Sequence, residues 1–283
     1  MQPYTEDFYK FVEQTARQSA KEIVPLVYQL IQPKSVIDVG CGLGTWLSVF
    51  KDYGIEEILG VDGDYVDKQM LEIPQENFLP FDLKNPLKID RQFDLVLSLE
   101  VAEHLPEECA ETFVDSLTRL GSVILFSAAI PFQGGTDHIN EQWQDYWAKY
   151  FSEKGYIAID CLRKKVWQNA NVDFWYTQNL LIFASQDYLE SHELLKREWE
   201  NTADSQLAIV HPKKYLEVVE QYLAAAKASE GFCIAASWHE ARAEGFAQAA
   251  QPQNMSLKQV LLALPTVTIN ASKRRWKSFF PSS

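Results

Sequence analysis

The stretch "SLEVAEHLP", residues 98–106, places Glu100, Glu103 and His104 within five positions, directly after an apolar run. Two carboxylates and an imidazole form a hard, oxygen-rich ligand set with a single nitrogen donor, which suits a divalent cation such as Mg²⁺ or Mn²⁺. A plainer reading is also open, in which Glu100 closes a ligand pocket and His104 packs between a strand and a helix with its nitrogens satisfied. Further along, "PFQGGTDHINEQW" carries flexible glycines, then Asp137 and His138, before a helix expected from near Asn140. Such groups matter most for an oxygen nucleophile. An alcohol is almost wholly protonated at neutral pH; a cation lowers its pKa and fixes its geometry, and an imidazole, His104 or His138, can take the proton.

A second set of acids flanks a glycine turn. "VIDVGCGLGTW", residues 36–46, reads as a buried strand running through Gly40, Gly42 and Gly44 into a helix. Glycines let the main chain turn sharply and approach a ligand where a Cβ would collide, and the following helix offers unpaired N–H groups. Asp38 just before the turn is a poor neighbour for a pyrophosphate and a good acceptor for a cationic amino-acid group, which disfavours NAD. "LGVDGDYV" places Asp62 at the end of the next strand, where a carboxylate can accept both ribose hydroxyls, and "PFDLKNP" places Asp82 where it can accept from an adenine amino group. Any one Asp beside Gly can be a turn residue. Three at successive strand ends are harder to explain that way, because ligands of open α/β sheets bind there.

The elements that position these residues alternate. Short β-rich runs at 35–39, 57–61, 77–81, 93–99, 122–128, 156–162 and 179–185 are separated by helical patterns, the signature of a mostly parallel sheet with crossover helices. Cys109, Phe113, Leu117 and Leu120 fall on one helical face, and Trp143, Tyr146, Trp147, Tyr150 and Phe151 on another. Residues 1–33 read as a helical cap interrupted at Pro25, residues 34–185 as the sheet domain, and residues 186–283 as an α-helical appendage with a basic, aromatic end, "SKRRWKSFFPSS".

Taken in order, these features resemble the class I S-adenosylmethionine-dependent methyltransferases: Asp-x-Gly-x-Gly-x-Gly, the acidic end of strand two, Asp after strand three and "FDLVLSLEVAEHL" after strand four. The resemblance covers roughly residues 34–185. It implies a Rossmann-like, seven-stranded, mostly parallel sheet whose seventh strand is antiparallel. It also implies that Asp38, Gly40, Cys41, Gly42 and Trp46 line the methionine side of S-adenosylmethionine, that Asp62 and Gly63 hold the ribose, and that Asp82 with Leu83 frames the adenine. Leu99 and Glu100 would lie beside the sulfonium. With strands four and five as neighbours, His138 can reach the same cation as Glu100, Glu103 and His104. That set is similar to the metal constellation of the small-RNA 2′-O-methyltransferases, and its first half to the ubiquinone-pathway O-methyltransferases; the intervening residues of "DHINEQW" differ, and no RNA-docking region is evident. The run from 123 to 147 also resembles bacterial methyltransferases found among polysaccharide and natural-product assembly genes. This points to O-methylation of a small molecule, glycan or peptide. Metal-free methylation of a carboxylate or amine, or a non-catalytic nucleotide-binding scaffold, are the alternatives. Trp167, Asn169, Trp175, Tyr176 and Gln178, just before the last strand, could wall the acceptor side.

The chain has 283 residues, 47% of them hydrophobic, and a formal net charge of −13. That composition builds a substantial core. The charge disfavours nucleic-acid acceptors, since binding to phosphate backbones depends on Lys and Arg displacing counterions. No apolar run approaches the roughly 20 residues of a membrane span, and the N-terminus lacks a basic start followed by an apolar core. The cysteines, Cys41, Cys109, Cys161 and Cys233, lack zinc-type spacing. Both observations point to the cytoplasm. His192, His211 and His239 have no partners at ligand spacing.

Overall fold

A computed structural model describes residues 6–228. Its elements are α1 (Glu6–Ile31), β1 (Ser35–Val39), α2 (Thr45–Asp52), β2 (Glu57–Asp62), β3 (Phe78–Pro80), β4 (Leu95–Leu99), α3 (Ala110–Leu120), β5 (Val123–Ser127), α4 (Gln144–Glu153), β6 (Tyr156–Ile159), α5 (Arg163–Val166), α6 (Phe174–Asn179), β7 (Leu181–Ser185), α7 (Gln186–Ser191), α8 (Glu193–Glu200) and α9 (Pro212–Ala228). Each of the seven expected strands forms. They make one sheet in the order β3-β2-β1-β4-β5-β7-β6, parallel throughout except for β7, which runs antiparallel to both β5 and β6. This is the Rossmann-like, seven-stranded, mostly parallel sheet with an antiparallel seventh strand that the resemblance implies.

Alternation along the central strands divides the core in two. Leu95, Leu97 and Leu99 of β4 with Val123 and Leu125 of β5 face one layer, where Ala20, Ile23, Val24 and Val27 of α1 meet Leu47 and Phe50 of α2. Val96 of β4 with Ile124 and Phe126 of β5 face the other, against Phe113 and Leu117 of α3 and Trp147 and Phe151 of α4. Strands covered on both faces explain why β1, β4 and β5 are apolar at nearly every position.

Some local expectations change. The N-terminal segment is one helix with Pro25 inside it; the tight packing of Ile23, Val24 and Val27, all at 0% exposure, offsets the N–H that proline lacks. The helix expected near Asn140 begins at Gln144, because the main chain of 139 and 140 is engaged elsewhere, as described below. Leu189 of α7 and Leu195 of α8 sit in the α1–α2 layer, and the compact unit extends to Leu216, with a second unit from Glu217. Among the described residues no helix is long and apolar enough to cross a membrane, and Cys41, Cys109 and Cys161 are free thiols. Cys233, His239 and the basic end at 272–283 lie outside the described residues.

Candidate active site

The glycine turn crosses the carboxyl end of β2: the N–H groups of Gly40 and Cys41 donate to the carbonyl of Val61 at 2.7 and 3.2 Å. Gly40, Gly42 and Gly44 have φ of 91°, 54° and 83°, the left-handed region that favours glycine. Their surroundings differ. A Cβ on Gly40 would fall 2.3 Å from Val101 Cγ2, whereas one on Gly42 would meet nothing within 4 Å; Gly40 is close-packed and Gly42 borders open space. The Asp62 carboxylate accepts from Gly42 N (2.7 Å), Gly63 N (2.7 Å) and the Tyr65 hydroxyl (2.5 Å), so it braces the turn that it follows in space. Asp38 is buried, and burial together with the nearby Asp62 charge pushes its carboxyl up to about 7.

The remaining expected cofactor residues gather around this turn with different environments. Cys41 is buried, and its thiol is pushed well above its usual pKa by burial and by Asp38 and Asp62. Trp46 is buried edge-on against Tyr176, Leu99 is buried and Leu83 half-buried. Phe81 N donates to Asp62 O at 2.7 Å, bringing the segment after β3 alongside β2. Asp82 there is exposed, and its carboxylate accepts from Lys84 N and the Asn85 side chain, both at 3.1 Å.

Glu100 follows β4 with φ of 55°, a strained backbone for a residue with a side chain. Its N–H is bonded to the Ser127 carbonyl at 2.9 Å. Its carboxylate accepts from Gln133 Nε2 (2.8 Å) and Asn179 Nδ2 (3.0 Å). Gln133 Oε1 in turn accepts from Asn179 Nδ2 (2.9 Å) and Gln178 Nε2 (3.1 Å), and these three amides are almost completely buried. Desolvation raises the Glu100 carboxyl above its ordinary range, and the hydrogen bonds from Asn179, Ser127 and Gln133 oppose that.

Beyond Glu100 the chain makes a short 3₁₀ turn, Ala102–His104, and the segment after β5 folds over it. Ile139 N and Asn140 N both donate to the Glu103 carbonyl, at 2.9 and 3.0 Å. This fixes His138 beside His104, with ring centroids 4.8 Å apart and the planes at 89°. One ligand atom each from Glu103, His104 and His138 lie within 4.8 Å of one another. Glu103 is 0% exposed; its carboxylate oxygens lack a well-formed hydrogen bond and lie close to its own main chain, the Ala129 main chain and the Glu100 carboxyl. Burial, then the adjacent Glu100, pushes its carboxyl well up; burial and His138 hold His104 below its ordinary value. A buried carboxylate without well-formed hydrogen bonds is costly unless a cation meets it, so the three residues fit a divalent ion in chemistry and spacing. Glu100 stands next to this trio, with its carboxylate turned to the amides.

The other aromatic and polar candidates separate. Gln178 belongs to the amide network and Tyr176 packs on Trp46, whereas Asn169 binds Glu22 of α1 (2.9 Å) and Trp167 lies beside His211. His192 stacks on Tyr188. Glu141 is the Glu of the Asp-His-x-x-Glu-x-Trp run at 137–143, whereas Gln133 and Asn179 enter the site unmarked by that pattern; their signals were a Gln between Phe132 and two glycines, and an Asn just before a buried strand.

The sequence matches the methyltransferase-domain family over residues 11–157. Ajmaline N-methyltransferase of Rauvolfia serpentina is 32% identical over 103 residues, covering 32% of this chain and 33% of that protein. Norajmaline N-methyltransferase of the same organism is 30% identical over the same length, with equal coverage. The chain thus spans about a third of the length of these curated relatives. Among solved structures, the methyltransferase domain of bacterial CtHen1 is similar at a TM-score of 0.44 and 22% identity, covering 60% of this chain and 99% of that one. The magnesium protoporphyrin IX methyltransferase (ChlM) of Synechocystis PCC 6803, solved with bound SAH, gives 0.44 and 19% over 61% of this chain and 84% of that one.

Proposed function

The chain belongs to the methyltransferase-domain family, whose members depend on S-adenosylmethionine, and from that premise we propose that it methylates a hydroxyl of a small molecule, glycan or natural-product peptide with a divalent cation, Mg²⁺ or Mn²⁺, at Glu103, His104 and His138. The observation that carries this reading is the Glu103 carboxylate, buried without a well-formed hydrogen bond and within 4.8 Å of two imidazoles. When bound, such an ion supplies Lewis acidity, making an acceptor hydroxyl a better nucleophile and orienting it.

The chain's own residues do the rest. Asp38 attracts the positively charged amino end of the methyl donor, Asp62 takes its ribose, and Gly42 leaves room for it; Cys41, Trp46, Gly63, Asp82, Leu83 and Leu99 complete that lining. Burial and His138 hold His104 below its ordinary value, which favours the neutral ring that ligation requires, and the hydroxyl proton leaves to solvent as the oxygen attacks the methyl carbon and the C–S bond breaks. Glu100, held by Asn179 and Gln133, borders the reacting centre.

Turnover with a labelled methyl donor and a panel of hydroxylated acceptors tests this. EDTA should abolish turnover while S-adenosylhomocysteine still binds, Mg²⁺ or Mn²⁺ should restore it, and Glu103→Gln should reproduce the chelated state. Full activity in excess EDTA, with His138→Ala still active, would favour the second reading. That reading is metal-free N-methylation, which draws on the two curated relatives, both N-methyltransferases.

A further inference from the structure

Between β5 and α4 the chain passes through a strained loop. Phe132 and Asp137 have φ of 67° and 58° although neither is glycine, a conformation that persists only where surrounding contacts over-determine it. Gln133 anchors this loop to the amide network, and a second set of contacts comes from one side chain. Glu141 Oε2 accepts from Phe132 N and Glu141 Oε1 from Gly134 N, both at 2.7 Å, and Oε1 also lies 3.0 Å from His138 Nδ1. Meanwhile Phe132, at the tip, is 79% exposed, so no burial of its ring holds it there.

We infer that Glu141 is a positioning residue, a single carboxylate that sets the ring of His138 for ligation and at the same time locks the loop that carries Phe132. The inference rests on the cation reading above and extends it to a residue outside the ligand trio. An ionised carboxylate only accepts hydrogen bonds, so the bond to Nδ1 requires the proton on Nδ1 and leaves the lone pair on Nε2. A carboxylate behind a ligating histidine is a recurrent arrangement that fixes tautomer and ring orientation. Gly135 meets the opposite, Nε2 edge of the ring: a Cβ there would fall 2.2 Å from Nε2, so the chain keeps a side chain out of the space around that nitrogen. Because Glu141 holds the loop and the ring with the same two oxygens, displacing the loop tip and reorienting His138 are one event.

The test is made on the full-length, metal-free protein. Nitrogen-detected NMR of the histidine rings should show His138 protonated on Nδ1, and amide exchange should show protection at Phe132 and Gly134. Glu141→Gln should shift His138 toward the Nε2-protonated tautomer, remove protection at both amides, and weaken Mn²⁺ binding, read by calorimetry, by about 10- to 100-fold. Phe132→Ala, which keeps the N–H, should leave tautomer and Mn²⁺ affinity as they are. Wild-type His138 protonated on Nε2 would overturn the inference, and so would a Glu141→Gln protein with unchanged tautomer and protected amides. A wild-type protein with the expected tautomer that takes up no Mn²⁺ would instead overturn the cation reading, leaving Glu141 as the residue that sets the ring and the loop.

Discussion

Asp38 is a carboxylic acid at the floor of the glycine turn, raised from 3.8 to about 7 first by burial and then by Asp62. A group with a raised folded pKa binds more protons folded than unfolded between those values, so its contribution to stability falls as pH rises from about 4 to about 7. Three units correspond to an upper limit of ~4 kcal/mol, at about 1.4 kcal/mol each. Asp38→Asn should therefore melt higher than wild type at pH 7.5 and nearly alike at pH 4, and should lose binding of S-adenosylmethionine; equal melting curves at both pH values would reject the shift. At this scale much of the candidate site was legible. Asp38, Asp62, Glu103, His104 and His138 announce themselves because ionisable groups at strand ends carry chemistry in their identity. Gln133 and Asn179 do not, because an amide's importance lies in partners that only the folded chain supplies.

The elements were the most readable part, since two-sided burial writes long apolar runs and each parallel connection needs a crossover. Boundaries were less so: the loop before α4 runs to Trp143 because Ile139 and Asn140 spend their N–H groups on Glu103, a tertiary contact absent from any local pattern. Within the β1–α2 turn the glycines separate by role. Gly40→Ala meets both a left-handed backbone and the Val101 side chain, and should destabilise by more than the ~1–2 kcal/mol of the backbone term alone. Gly42→Ala carries only that backbone term, yet places a methyl in the open space beside Asp62. Melting curves paired with calorimetry of S-adenosylhomocysteine should show Gly40→Ala losing mainly stability and Gly42→Ala losing affinity out of proportion to stability. Parallel losses in the two variants would contradict this division.

For the molecule as a whole, the net charge of −13 sets the long-range field. It should repel polyanions, so tRNA and short oligonucleotides with a free 3′-terminal ribose should not be methylated at physiological salt; efficient transfer to such an end would show that the local metal site, not the field, selects the acceptor. The sequence could not place residues 186–216. Short amphipathic helices declare a buried face without naming its partner, and only the structure puts Leu189 and Leu195 in the α1–α2 layer. The amide cluster that joins the end of β4, the loop after β5 and the end of α6 around Glu100 has a consequence for traffic of a different kind. Carboxamides neither gain nor lose protons near neutral pH, so Gln133, Gln178 and Asn179 make Glu100 a dead end for proton conduction. Nothing released at the reacting centre can travel inward along that chain of hydrogen bonds. Under the proposed chemistry the proton's exit lies on the side away from these amides, which gives the site an insulated wall and an open one.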